Sequence, residues 1–330
     1  MQNRQLQGAL IGLGPQGSRY NVLVKQSGKA AIAAYVQSKC GHEATELDKA
    51  AGFRESEELF HAIKQGALDI DFLILARPPL YRADILDRAS NNQLPVFLEV
   101  PLAKNMDQAL RVADRCTDLP CVVNEQWLRF PNVLALKTIL PLFGKIKMIK
   151  MRGKGRPWQT ELPRIGCHLL AIAHQFAGPA SAVSSKEVDS NVLCRVDTSA
   201  GPAMEFKFDR PYGVNRCYIE FECEYGRIRL SGSLLQFVDR GFQGKIFERI
   251  YLGSYFDSVA ISSPEDEDKY LRNRATNPTA DLFTQFLECV EAKRAGRYLP
   301  NPSPPAYCLE AVRTADMIKS AILDKRVVFP

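Results

Sequence analysis

The feature that most constrains this chain is a glycine triplet near its start. In LQGALIGLGPQG, Gly12, Gly14 and Gly17 have the spacing G-x-G-x-x-G. A strand-like apolar segment leads into the triplet. The segment leading out, PQGSRYNVLVKQS, has helical spacing and stops at Gly28, and a second apolar strand, AAIAAYV, follows. A strand that turns on glycine into a helix and is followed by another strand begins a β-α-β unit. Its two strands run parallel, because the crossover helix returns the chain to the end from which it started. The glycines also have a chemical reading. Gly12 permits the tight turn, Gly14 lets a pyrophosphate approach the backbone, and Gly17 allows close helix–strand packing, while the helix N-terminus offers N–H donors to the anion. Residues 12–17, which include Leu13, Pro15 and Gln16, are therefore expected to bind a dinucleotide.

The alternation continues. IDFLILA, PVFLEV and CVVN read as buried strands, while YRADILDRASNN and MDQALRVADRC read as helices. HEATELDKAAG reads as a polar helix stopped by Gly52, and Ser56 as the cap of a helix running to about Gln65. Residues 1–125 are thus expected to form a doubly wound parallel sheet with helices on both faces. Near residue 145 the pattern changes. KIKMIKM, AMEFKF and CYIEFECE alternate apolar and polar positions, which marks an antiparallel sheet with one wet face. Residues 126–330 are expected to be an α+β domain with an open, mostly antiparallel sheet. EDED at 265–268 reads as a solvated loop, and NPSPPA at 301–306 precedes a last helix over about 306–322, which is free to pack back on the first domain.

A chain of 330 residues suits two domains. Its apolar runs fall short of the roughly 18 residues that span a bilayer, and its first residues carry no basic region before an apolar core, so no membrane segment and no signal peptide are expected. The 9 cysteines, an odd number without any C-x-x-C, read as reduced, buried thiols of a cytoplasmic protein. The net charge of +6 is dispersed, with no basic stripe or aromatic platform for nucleic acid; a small anionic ligand suits it. No pair among the histidines and cysteines has metal-ligand spacing, so no metal is expected.

The second strand should end in the group that reads the adenosine ribose. An acid there would hold the 2′-hydroxyl. The chain instead has Gln37, Ser38 and Lys39. A hydroxyl and an ammonium suit a 2′-phosphate, which favours NADP and leaves NAD open.

The succession GLGPQG, ARPPLY, FLEVPLAKN, RFP and GCHLLAIAHQFAG resembles the Gfo/Idh/MocA family of nicotinamide-dependent oxidoreductases over nearly the whole chain. The resemblance implies a Rossmann domain, then an open-sheet domain that often mediates oligomers, here a homodimer or homotetramer, with a small-molecule substrate held between the domains. It implies cofactor contacts for Ala76, Arg77, Pro78, Glu99 and Val100, and pocket positions for Trp127 and Arg129. Two departures matter. The family's Glu-Lys-Pro is here Glu99-Val100-Pro101, and its Asp, His and second Asp on one helix are Arg164, His168 and Ala171. A helix is expected over roughly 163–177, with Arg164 and His168 on one face. Arg164 in the pocket would favour a carboxylate or phosphate on the substrate. With the lysine missing, His168 is the leading proton donor and Tyr81 the other candidate. Three activities follow: reduction of an imine or other activated C=X group, which needs little acid catalysis; oxidation or reduction of a sugar-like alcohol or ketone with His168 alone; or nucleotide binding without catalysis. His174, six positions on and roughly 240° round the helix, reads as structural, and His42 and His61 as surface residues.

Overall fold

The structure is a computed structural model and describes residues 4–37, 49–79, 82–117, 119–153, 158–188, 191–199, 201–208, 217–231, 234–239, 246–251 and 277–330. The expectations placed on Ser38, Lys39, His42, Tyr81, the HEATELD part of the expected polar helix and the EDED run lie outside these residues. The chain divides into two compact units. One comprises Met1–Ala103, Asp107–Asn124 and Val259–Pro305; the other comprises Lys104–Met106, Glu125–Ser258 and Ala306–Pro330.

The first unit holds a six-stranded sheet of β1 (Leu6–Ile11), β2 (Ala30–Val36), β3 (Ala51–Phe53), β4 (Phe72–Leu75), β5 (Val96–Leu98) and β6 (Cys121–Val123). The strand order is β3-β2-β1-β4-β5-β6, and every pair is parallel. β4, β5 and β6 are buried at every position, as their unbroken apolar runs require of strands covered on both faces. The first crossover helix, α1 (Pro15–Ser27), has proline at its start and ends at Gly28, whose φ of 63° is a left-handed C-cap. Two local expectations are corrected. Gly52 lies inside β3, paired beside Tyr35, and does not stop a helix. The next helix, α2 (Ser56–Lys64), is capped by Glu55, whose carboxylate forms a reciprocal capping box with Glu58, and not by Ser56. Further on lie α3 (Arg82–Asn91) and α4 (Met106–Arg115).

A helix from far along the chain, α8 (Pro278–Arg294), belongs to this unit. Asn277 caps it by accepting from the N–H groups of Thr279 at 3.1 Å and Ala280 at 3.3 Å. Phe283 and Phe286 meet Phe72 of β4 and Phe97 of β5, with ring centroids 5.3–6.3 Å apart and mostly edge-on. The cysteine reading also needs correction. Cys116 and Cys121, with Cα atoms 5.3 Å apart, form a disulfide between the end of α4 and β6. The other described cysteines are free and buried, and burial alone pushes the Cys194 thiol up to about 12.

The second unit is built on an eight-stranded sheet in the order β14-β13-β12-β11-β7-β10-β9-β8. In chain order the strands are β7 (Ile146–Arg152), β8 (Ala180–Val188), β9 (Asn191–Thr198), β10 (Ala203–Phe208), β11 (Tyr218–Cys223), β12 (Gly226–Ser231), β13 (Leu234–Asp239) and β14 (Ile246–Tyr251). β7 runs parallel to β10, and the other pairs are antiparallel. Ile149, Met151, Met204, Phe206, Ile219 and Phe221 form the buried face. The helix α5 (Pro131–Ile139) and the short α6 (Trp158–Glu161) precede α7 (Cys167–Ala177); α7 and α9 (Ala306–Asp324) pack together, and α9 lies on β8. The last helix is therefore part of this unit, and the segment that returns to the first unit is the one carrying α8.

The other face of this sheet carries a cross-strand row of alternating charge. Arg229 pairs with Glu220, Glu220 with Lys150, Lys150 with Glu205, and Glu205 with Arg195. The Arg229 guanidinium lies 2.6 Å from Glu220 and 4.4 Å above the Tyr218 ring, which leaves Glu220 only 4% exposed on a face expected to be wet. No described helix is long and apolar enough to cross a membrane.

Candidate functional site

The glycine turn of the first unit is shaped by three separate demands. Gly12 has φ of 105°, and a Cβ there would lie 3.0 Å from the Ala76 carbonyl and from Cγ of Arg77. A Cβ on Gly17 would lie 2.0 Å from the Gly12 carbonyl oxygen. Neither position tolerates a side chain, the first because of its left-handed backbone and both because of space. Gly14 differs. It is extended, and a Cβ there would meet nothing within 4 Å. The turn is therefore bare at Gly14. No side chain caps α1, and its first turn carries no acid, so its N–H groups are left to another acceptor. Leu13 points the other way, into the core with Leu10 and Tyr20.

The ends of β4 and β5 complete this rim. Ala76 is held to β1 by its N–H to Ile11 O, at 3.0 Å. Arg82, at the start of α3 and 2% exposed, donates to the carbonyls of Arg77, Glu99 and Pro101, so one buried guanidinium pins two loops. The Val100–Pro101 peptide is cis. The Glu99 carboxylate accepts from Gln16 Nε2 at 2.7 Å, from the Tyr20 hydroxyl, from Asn124 Nδ2 at 3.0 Å and from the Val100 N–H at 3.1 Å. Asn124 Nδ2 also donates to Tyr20 Oη at 2.8 Å, while its Oδ1 is buried without a hydrogen-bond partner. Gly12, Gln16, Gly17, Ala76, Arg77, Glu99 and Val100 are thus brought together around the ends of β1, β4 and β5. Gln37 follows β2 and donates its N–H to Phe53 O at 3.0 Å. Pro78 lies exposed beyond Arg77.

In the second unit, His168 sits in the first turn of α7, 7% exposed. Its Nδ1 is 2.6 Å from Oε1 of Glu125. The Trp127 indole lies flat on the imidazole, with centroids 4.6 Å apart and planes 7° from parallel. Glu125 and Trp127 flank the start of a 3-10 turn, Gln126–Arg129, which leaves Arg129 half-buried. The partner of His168 was missed from the sequence, because Glu125 lies 43 residues away and has no periodic relation to it.

Arg164 and His168 differ in burial, where one shared pocket face was expected. Residues Leu162–Gly166 form a π-helix, closed by the Cys167 N–H on Leu162 O. Arg164 is exposed, while His168 is buried. His174 spans α7 and α9, with Nδ1 2.7 Å from Gly178 O and Nε2 2.8 Å from Thr314 Oγ1. Burial depresses its pKa, and the Gly178 carbonyl and Glu310 oppose this.

No family model matches the chain. An uncharacterised protein of Saccharomyces cerevisiae is 33% identical over 135 residues, which are 35% of this chain and 39% of that protein, so the alignment spans about two fifths of the relative. Solved structures match over both units. An oxidoreductase from Agrobacterium radiobacter, in complex with NAD+, L-tartaric acid and magnesium, superposes with a TM-score of 0.73 at 16% identity, covering 99% of this chain and 98% of that one. The WlbA dehydrogenase of Bordetella pertussis, with NADH and UDP-GlcNAcA, gives 0.72 at 15% identity, covering 100% and 99%. A levoglucosan dehydrogenase with NADH and levoglucosan gives 0.71 at 16%, covering 99% of each chain. From end to end, the chain has the fold of these oxidoreductases.

Proposed function

We propose that the protein is a nicotinamide-dependent oxidoreductase that transfers hydride to or from a small substrate. The observation that carries this is the glycine turn: closed to side chains at Gly12 and Gly17, open at Gly14, and followed by a helix start with no cap and no acid. That donor set fits a pyrophosphate. Residues 12–17, Gln37, Ala76 to Pro78, Glu99 and Val100 would hold the dinucleotide. When bound, it supplies the hydride or the hydride acceptor. Glu99 keeps Gln16 and Tyr20 in place, and through them the first turns of α1. Val100 adds an apolar wall where it can neither donate nor accept a proton.

The finer readings are ours as well. Preference for NADP rests on Gln37, Ser38 and Lys39, which supply polar and cationic groups where an acid would disfavour a 2′-phosphate. Reduction of an imine or other activated C=X group rests on Val100, since an iminium already carries its proton. A second reading, oxidation or reduction of a sugar-like alcohol or ketone, is favoured by His168 with Glu125 at 2.6 Å, a pair able to hold and move a proton. Self-association through the charged sheet face is proposed too, since two copies of the alternating row related by a two-fold rotation and offset by one strand set unlike charges against each other. Calorimetric titration with NADPH and then NADH tests the assignment. Tighter binding of NADPH supports the dinucleotide site and its phosphate preference, tighter binding of NADH removes the phosphate reading, and binding of neither removes the oxidoreductase.

A further inference from the structure

The geometry points to Glu125 as the positioning residue that sets the tautomer and orientation of His168. Their contacting side chains are 1% and 8% exposed, and Oε1 lies 2.6 Å from Nδ1. An ionised carboxylate accepts hydrogen bonds and donates none. A neutral imidazole has one N–H, so the proton must sit on Nδ1 and Nε2 must carry the bare lone pair. Nε2 has no hydrogen-bond partner among the described residues. Free imidazole side chains in water favour the opposite tautomer, so the carboxylate is what selects this one.

The indole of Trp127 adds the second constraint. At 4.6 Å and 7°, it fixes the plane of the ring, while Glu125 fixes the rotation within that plane. A half-turn of the ring would keep the stack and lose the bond to Glu125. Together the two neighbours leave one atom, Nε2, to take up and return a proton. The imidazolium formed then lies against a carboxylate and an indole face, both of which stabilise positive charge. The role in turnover rests on the hydride-transfer reading above. In the direction of oxidation, the substrate O–H bond breaks. Its proton goes to Nε2, and its electron pair completes the C=O bond as the hydride leaves carbon. Nδ1 keeps its proton throughout. In reduction, Nε2 returns the proton to the new alkoxide.

The test starts with the tautomer, which needs neither substrate nor cofactor. Long-range proton–nitrogen correlation spectra of protein labelled with 15N-histidine separate the two neutral tautomers, and the His168→Gln variant assigns the signal. Spectra are read at a pH above which the signal no longer moves. His168 is expected to be protonated on Nδ1 in the wild type and in Glu125→Asp, which keeps a carboxylate, and on Nε2 in Glu125→Leu. On an established alcohol or ketone substrate, Glu125→Leu should lower kcat by about 10²–10⁴-fold with KM within about threefold, and Glu125→Asp should recover part of the loss. A wild-type His168 protonated on Nε2 would overturn the proposal, as would full kcat in a folded Glu125→Leu variant. Should that variant not fold, the wild-type and Glu125→Asp spectra decide. An Nδ1-protonated His168 in a protein that binds cofactor yet transfers no hydride would sink the oxidoreductase reading and leave the placement of the proton standing.

Discussion

Gly14 and Gly17 are three residues apart and do opposite work. Gly17 is needed for the fold, since its hydrogen faces the Gly12 carbonyl at a distance no methyl group can occupy. Gly14 is not needed by the fold at all: its φ of −69° suits any residue, and the space over it is open. Gly14→Asp should therefore fold normally. It should even gain about 0.5–1 kcal/mol, because aspartate is a good N-cap and sits well at the positive end of α1. The same carboxylate would occupy the place proposed for the pyrophosphate and repel it, so dinucleotide binding should fall at least 100-fold by calorimetry while Tm holds or rises. Gly17→Ala should do the reverse and lose stability first. A Gly14→Asp protein that still binds NADPH would show that residues 12–17 are a structural turn only.

Among the elements, what could be read beforehand follows from how each is buried. The central strands of the first sheet are apolar on both faces and announce themselves, as do the alternating strands β7, β10 and β11. β3 has only three residues, one of them glycine, and carries no such signal. The π-turn before α7 was hidden because LPRIG is compatible with an ordinary helix, and the extra residue per turn is decided by packing rather than by propensity. Side chains that meet across elements, Glu125 on His168 or Arg82 on the carbonyls of two loops, leave no trace in spacing either. The legible exception is His174, placed as structural by its angle round the helix and found bridging α7 to α9. Its pKa is held below 6.5 by burial. The unfolded chain then binds a proton at pH values where the folded chain does not. Stability is complete above the ordinary histidine value and declines as pH falls below about 6.5. Tm should thus drop more steeply between about pH 7 and pH 5 in the wild type than in His174→Gln, by a few degrees at roughly 2–4 °C per kcal/mol. Parallel slopes would show that another group governs acid sensitivity.

At the scale of the whole molecule, the two units have separate cores and separate sheets, and each gathers segments distant in sequence. If the dinucleotide binds the glycine turn, it should stabilise the first unit directly. At a concentration of 100 Kd the gain is about 2.7 kcal/mol. Scanning calorimetry with and without NADPH should show that the transition of the first unit moves upward in the wild type and stays in place in Gly14→Asp. A shift that survives the substitution would place the ligand elsewhere. The parallel sheet followed by a mostly antiparallel one was foreseeable from the two kinds of hydrophobic pattern, whereas the late return of the chain to its first unit was not.

That return has a consequence for how the protein is made. Phe72 and Phe97 are in place early in the chain, but the aromatic rings that cover them, Phe283 and Phe286, come from α8. On a ribosome adding 5–20 residues per second, the first sheet would wait roughly 10–40 s for its cover. During that interval an apolar sheet face is open to the solvent, to chaperones and to neighbouring nascent chains. Release of the first 125 residues alone would make the exposure permanent. The half of the molecule that begins the chain is thus among the last to be finished.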